Sequence, residues 1–344
     1  VLVAACGDHV VGTTHASPGL TPLDAADASA PSPAPAAADA GGIDEAAAPP
    51  GDAGGDASPA PPSCTGKTGA AGDLTLSLTS GGYARTSLLH VPAKYDPTRG
   101  AMLVLNFHGF SSNDVEQEAL TGMNAVADQR GLLVAYPQGI GDGWNAGDCC
   151  TETQPAGVDD VQFTRDLLAL VESRYCIDPA RIYATGFSNG GFLSHRLACA
   201  MSTTFAAIAP VSGVLGIPRD DCNPARPVPV IEFHGTADPV VPYDGGPALK
   251  LLPPIVFRSV DETVEHRRAV DACLGAPAVA YAHGDATCVR WGDCDGGADV
   301  ELCTLLGDGH QWPDGIAVPG LGTMSTDIDA TGRMIDFFVA HPMR

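Results

Sequence analysis

The chain has 344 residues, with 18 Lys and Arg against 41 Asp and Glu, a net charge of −23 and 29 prolines. So acidic a balance excludes a surface built to neutralise a phosphate backbone, and nucleic acid is not expected as a partner. Beyond the first few residues no stretch approaches the roughly 20 apolar residues that a membrane span needs.

Residues 1–6 and Gly7 read Val-Leu-Val-Ala-Ala-Cys-Gly, the end of an apolar export segment running into a lipobox. The expectation is lipid on Cys6, membrane contact only through that anchor, and an extracellular or cell-surface location. The plainer alternative is a signal-peptide remnant with Cys6 a stray thiol. Residues 7–62 hold ten of the prolines, eight acidic residues and no Lys or Arg. Such a segment buries too little apolar surface to offset the entropy of ordering it, so a disordered linker is expected. Residues 63–344 suit one α/β domain.

In that domain residues 74–79 alternate Leu-Thr-Leu-Ser-Leu-Thr, and residues 83–91 form a second extended run; Gly81-Gly82 joins them as a hairpin. Gly66-Lys67-Thr68 is not a phosphate loop, because Pro61 stands where the first glycine belongs. Residues 101–107 are a continuous apolar run suited to the middle of a parallel sheet. They end in His108-Gly109-Phe110. A helix is expected at 124–130 and a strand at 132–136, then a Gly-rich loop holding Trp144, Cys149 and Cys150. Residues 158–175 carry apolar positions at helical spacing, opened by Asp159-Asp160 as capping acids.

Residues 181–193 are the centre of the reading. A short apolar run enters Gly186-Phe187-Ser188-Asn189-Gly190, and a helix-compatible segment follows to about Met201. G-x-S-x-G between a strand and a helix is a nucleophile elbow: small residues let strand and helix approach, and the serine is left exposed at the tip. Strands follow at 206–211 and 226–233, the second ending in His234-Gly235-Thr236-Ala237-Asp238. Ser259-Val260-Asp261-Glu262 has the form of a capping box opening a helix to about residue 272. Strands at 286–291 and 300–305 precede Gly309-His310-Gln311-Trp312, and a helix at 326–340 closes the chain. The acids of residues 293–299 lack EF-hand spacing and read as a solvated turn.

Ser188, Asp238 and His310 occur in the order of α/β-hydrolase triads, each on a loop after a strand. His310 would take the serine proton and Asp238 would orient the imidazole. The backbone N–H groups of Phe110 and Asn189 would form the oxyanion hole. Trp144, Trp312 and His108 are candidate substrate contacts; Trp144 packed against a disulfide and His108 shaping its loop are the structural alternatives. No metal or organic cofactor is needed. Cys6 aside, ten cysteines remain, which in an exported chain implies up to five disulfides rather than zinc. Their connectivity stays open, although Cys288 and Cys303 fall on consecutive expected strands, where a bridge across a hairpin is feasible.

Taken together, Phe107-His108-Gly109, Trp144-Asn145-Ala146-Gly147, Val158-Asp159-Asp160-Val161, the elbow, His234–Asp238 and Gly309–Pro313 resemble the feruloyl esterase and polyhydroxybutyrate depolymerase group of carbohydrate esterase family 1. The resemblance implies an α/β-hydrolase fold, with a mostly parallel central sheet and helices on both faces. It implies an exported serine esterase acting on ester substrates, possibly polymeric: plant cell-wall polysaccharide esters or polyesters. An acyltransferase on the same triad, or a non-catalytic surface binding protein on this scaffold, are the competing classes.

Overall fold

The computed structural model describes residues 61–150, 157–248 and 255–344. The expected lipobox with Cys6, and residues 7–60 of the expected linker, lie outside them. Strands β1 (Gly72–Ser80) and β2 (Tyr83–Val91) form the expected antiparallel hairpin, with Ser80 opposite Tyr83. Gly81 and Gly82 sit at φ 57° and 84°. Two successive left-handed residues match the twist of the flanking strands, and glycine adopts them at no steric cost.

Strand β3 (Ala101–Phe107) is buried along its whole length. Its side chains alternate between two cores: Leu103, Leu105 and Phe107 join one, while Met102 and Val104 join the other. That division marks a sheet covered on both faces. Helices α1 (Asp114–Thr121) and α2 (Met123–Arg130) lead to β4 (Leu133–Pro137). Helix α3 (Asp160–Arg174) precedes β5 (Ile177–Phe187), which runs into α4 (Asn189–Ala200). Strands β6 (Ala207–Val211) and β7 (Val230–Gly235) follow. A two-residue pair, β8 (Gly246–Pro247) with β9 (Val256–Phe257), precedes α5 (Val260–Val270). Strands β10 (Ala278–His283), β11 (Ala286–Trp291) and β12 (Val300–Leu305) and helix α6 (Ala330–Ala340) complete the fold.

The main sheet has the order β1-β2-β4-β3-β5-β6-β7-β12-β11-β10. Strands β4, β3, β5, β6, β7 and β12 are parallel neighbours, and antiparallel strands extend both edges. The chain leaves β3 for β4 on one side and returns to β5 on the other. That reversal makes the carboxyl ends of β3 and β5 the switch point of the sheet, the place where open α/β sheets bind ligands.

The departures from expectation have local causes. Helix α1 was not anticipated because its buried residues include Gln117 and Thr121, which hydrogen-bond to Asn106 instead of forming an apolar stripe. Strand β10 was missed because both its ends are exposed, so no alternation marks it. The strand expected from residue 226 starts at Val230, since Pro227 and Pro229 cannot donate to a ladder. The last helix starts at Ala330, where the Asp329 side chain accepts from Gly332 N. The capping box at Ser259 and Glu262 is complete.

Ten cysteines form five disulfides: Cys64–Cys176, Cys149–Cys150, Cys199–Cys222, Cys273–Cys294 and Cys288–Cys303. The last joins directly paired residues of β11 and β12. Thiol titration of the unfolded, unreduced chain should therefore find at most one reactive thiol, that of Cys6. Loss of any of the four bridges that close a loop of 15 or more residues should cost about 2–5 kcal/mol in denaturant unfolding. Several reactive thiols per chain would contradict the pairing.

Candidate active site

Ser188 stands between β5 and α4 with no loop residues around it, at φ 53° and ψ −119°. For a residue with a Cβ this conformation is costly and must be held by its surroundings. Its N–H donates to Val211 O at the end of β6 (2.8 Å), and its carbonyl accepts from Phe192 N (3.0 Å). The flanking glycines answer to contact distance. A Cβ on Gly190 would lie 2.1 Å from Phe107 O, and one on Gly186 would lie 2.6 Å from Gly190 C. Only hydrogen fits at either position, as the elbow pattern predicts.

Asp238 lies beyond β7 and His310 beyond β12, and the fold brings them together: His310 Nδ1 is 2.6 Å from Asp238 Oδ2. The other oxygen, Oδ1, accepts from Val240 N (2.7 Å) and Val241 N (2.8 Å). Burial works against ionising this carboxyl, but His310 and His234 outweigh it and hold Asp238 below the usual carboxylate range. An ionised Asp238 only accepts, so His310 Nδ1 carries the hydrogen between them and Nε2 is the ring nitrogen left to face other groups. The His310 ring packs 4.8 Å from that of Phe187, the residue before the serine.

The loop carrying His310 is built from its neighbours in sequence. A Cβ on Gly309 would meet Leu321 O at 2.1 Å, so the two segments close only around glycine. The Gln311 side chain donates to Val318 O and Gly322 O and accepts from Val318 N. His310 N itself donates to Leu321 O (2.7 Å).

Phe110 follows Gly109, where a Cβ would come 3.5 Å from Ser188 Cβ, so this loop lies beside the serine. Among the described residues no acceptor meets the Phe110 amide. Asn189 is the first residue of α4, and its N–H has no carbonyl one helical turn before it. The Asn189 side chain is committed elsewhere: Oδ1 accepts from Trp144 N (2.6 Å) and Nδ2 donates to Trp144 O (3.2 Å).

Three expected substrate contacts are corrected. Trp144 is wholly buried, edge-on to Phe107, and its Nε1 donates to His108 O (2.8 Å). Trp312 is also wholly buried, with Nε1 donating to Thr331 Oγ1 (3.0 Å). An indole with no exposed surface has no face for a ligand. Of the two readings of Trp144, packing is the one realised, and its loop does contain the bridge between Cys149 and Cys150. His108 is buried too. Gly139 N donates to its Nε2 (2.9 Å), so its Nδ1 must donate to Gly109 O (2.7 Å). Burial brings it down to about 4, which keeps it neutral. It shapes the loop that carries the Phe110 amide.

One brace escaped the sequence reading. Asp159 caps α3 as expected, accepting from Gln162 N. Asp160 instead pairs with buried Arg85 (2.8 Å) and accepts from Asn145 N (2.7 Å). Burial raises Asp160 and lowers Arg85 against their mutual attraction. The Arg85 guanidinium lies 3.6 Å from the Phe163 ring centroid. The available signal was an arginine on the same face of β2 as Leu89 and Val91.

A family described as phospholipase/carboxylesterase matches residues 156–253. Feruloyl esterase B of Piromyces equi is 34% identical over 239 residues, 67% of this chain and 43% of that protein. NocK of Nocardia uniformis subsp. tsuyamanensis, whose name gives esterase and no substrate, is 34% identical over 251 residues, 68% of this chain and 72% of its own length. The chain thus spans less than half the length of the first relative and over two thirds of the second. Among solved structures, an acetyl xylan esterase from Aspergillus awamori covers 77% of this chain and 99% of its own, with a TM-score of 0.54 at 15% identity. At that identity the likeness speaks for the α/β-hydrolase fold.

The buried position of Trp144 makes a prediction. Trp144→Ala should lower unfolding stability by about 3–5 kcal/mol, the range for an aromatic deleted from a packed core. Trp144→Phe should cost about 1–3 kcal/mol by leaving the His108 carbonyl without its donor. Denaturant melts check both, and an unchanged midpoint for Trp144→Ala would overturn the assignment to the core.

Proposed function

The chain belongs to the feruloyl-esterase-related esterases of the α/β-hydrolase superfamily, and from that premise we propose that it hydrolyses carboxylic esters through Ser188, His310 and Asp238. The observation that carries this reading is the 2.6 Å contact between His310 Nδ1 and Asp238 Oδ2, on the loops after β12 and β7, three and two strands along the sheet from the elbow strand β5. With Nδ1–H committed to Asp238, His310 Nε2 takes the proton of Ser188 Oγ as that oxygen attacks the ester carbonyl. Positive charge grows on an imidazole whose partner is already ionised. Negative charge grows on the carbonyl oxygen, where the N–H groups of Phe110 and Asn189 stabilise it, typically by ~3 kcal/mol per donor. His310 then protonates the departing alcohol, an acyl-Ser188 remains, and water activated by the same imidazole releases the acid.

The proposed substrates are acyl esters of plant cell-wall polysaccharides. The names of two relatives, feruloyl esterase B and a bifunctional acetylxylan esterase/xylanase of Neocallimastix patriciarum, support this over a polyester. With both tryptophans in the core, preference for an aromatic acyl group does not come from stacking on them. Five disulfides favour an oxidising, extracellular setting. Lipid attachment at Cys6 would hold the enzyme at the cell surface.

Ser188→Ala should lower kcat/KM on methyl ferulate and on p-nitrophenyl acetate by on the order of 10⁴-fold or more, because nucleophile and base act as a unit. Its melting temperature should stay near that of the parent. Hydrolysis at a near-parental rate by the folded variant would remove Ser188 from the reaction.

A further inference from the structure

Behind Asp238 runs a line of buried ionisable side chains: His234 and Glu232 on β7, His195 on α4, Arg267 on α5 and Asp271 at its C-cap. Hydrogen-bond chemistry decides where their protons sit. His234 Nε2 lies 2.9 Å from Val241 O, which can only accept, so Nε2 carries hydrogen. The same atom is 3.5 Å from Asp238 Oδ2, the oxygen that faces His310. Arg267 Nε, which can only donate, is 3.4 Å from His195 Nδ1. His195 therefore turns an Nε2–H toward Glu232 Oε2, at 3.5 Å.

Glu232 is the unexplained member. Its carboxylate is fully buried, and neither oxygen has a hydrogen-bond partner among the described residues. Oε1 lies 3.7 Å from His234 Nδ1. A lone buried carboxylate is far too costly to keep ionised, whereas one facing a cation is not. A proton on His234 Nδ1 supplies the cation and removes a lone pair that would otherwise point at the carboxylate. The balance of charges agrees. Burial opposes it, yet Asp238 and Glu232 together raise His234 to about 10. Burial likewise opposes ionising Glu232, and His195 and His234 bring it below its usual range.

We propose that His234 is a positioning residue for the triad carboxylate: held as an imidazolium by Glu232, it fixes Asp238 Oδ2 toward His310 and offsets part of the charge Asp238 presents there. The inference rests on the triad reading and deepens it. The groups facing His234 come from every side. Glu232 lies on its own strand, and Asp238 and Tyr243 on the loop that follows, the Tyr243 ring edge-on at 5.9 Å. Helix α4 contributes His195, which burial keeps neutral. Arg267 and Asp271 lie farther off; burial lowers the first to about 10 and raises the second to about 6. Strand β12 contributes Thr304, opposite His234 in the ladder and bonded to the Tyr243 hydroxyl.

The sign follows from Coulomb's law. Positive charge on His310 is favoured by Asp238 and disfavoured by the imidazolium behind it. Without the His234 charge, a proton settles on His310 more readily, and less enzyme at acid pH holds the free base. His234→Gln, which keeps a donor but no charge, should move the acidic limb of the kcat/KM–pH profile upward by about 0.5–1 pH unit. Glu232→Gln should move it the same way but by less, because His234 keeps only Asp238 as a counter-charge and holds its proton less firmly. Both should stay within about tenfold of the parent on the alkaline plateau. His234→Phe, which loses the donor as well, should fall below both there. Melting curves would identify which variants fold. Were the His234 variants not to fold, Glu232→Gln alone decides.

Acidic limbs that superpose on the parent, or move to lower pH, in folded variants would overturn the inference. A merely structural role predicts that outcome, with lower stability and an unmoved limb. The Ser188→Ala arm keeps the two readings apart. An active Ser188→Ala protein would sink the triad itself, whereas an inactive one with unshifted His234 and Glu232 profiles would sink only this proposal.

Discussion

The site depends on one backbone crossing. Where β5 turns into α4, the chain passes so close to the end of β3 that Gly190 meets the carbonyls of both Phe107 and His108. That contact brings the elbow and the loop of Phe110 together before any side chain contributes. It also carries the strain: Ser188 stays in its costly conformation because hydrogen bonds on either side of it are already made to β6 and α4. Trp144 then locks the crossing in place. Its indole holds His108 while its backbone is held by the Asn189 side chain, so one residue ties both halves of the proposed oxyanion site.

Electrostatics follow the same economy. Arg85 with Asp160, and the line from Arg267 to Asp238, place charged groups where water does not reach. Paired buried charges rarely add stability over a well-packed apolar core, but breaking one partner is costly. Their use here is directional. Asp160 holds the backbone of Asn145, next to Trp144, and Asp238 holds the ring of His310.

Much of this was legible in the sequence because it was written in short range. The hairpin turn at Gly81-Gly82, the cap at Ser259, the elbow and the three candidate triad residues each carry a local pattern whose physical reason lies within a few residues. Roles that depend on packing were not legible. A tryptophan in a Gly-rich loop reads the same whether its ring faces solvent or, as Trp144 does, the core. Asp160 next to Asp159 reads as a second cap, because nothing near it in sequence announces Arg85, 75 residues away. Helix α1 hides its inner face behind Gln117 and Thr121, whose partner Asn106 lies on another element. Glu232 sits inside an apolar strand: the strand period puts His234 on its face, but only the fold brings His195 of α4 to its other side.

The bond between Cys64 and Cys176 has a mechanical meaning. Cys64 lies near the start of the described chain, ahead of the edge hairpin, and Cys176 immediately precedes β5 at the middle of the sheet. Force arriving along the chain from its N-terminal side would otherwise act on β1, an edge strand that can be peeled from β2 one hydrogen-bonded pair at a time. The disulfide sends that load past the hairpin to the foot of the strand that carries Ser188. There it meets the two ladders of β5, with β3 and with β6, which must shear together rather than unzip. Any pull on the chain ahead of Cys64 is carried along this line, and the covalent bond leaves β1 and β2 slack.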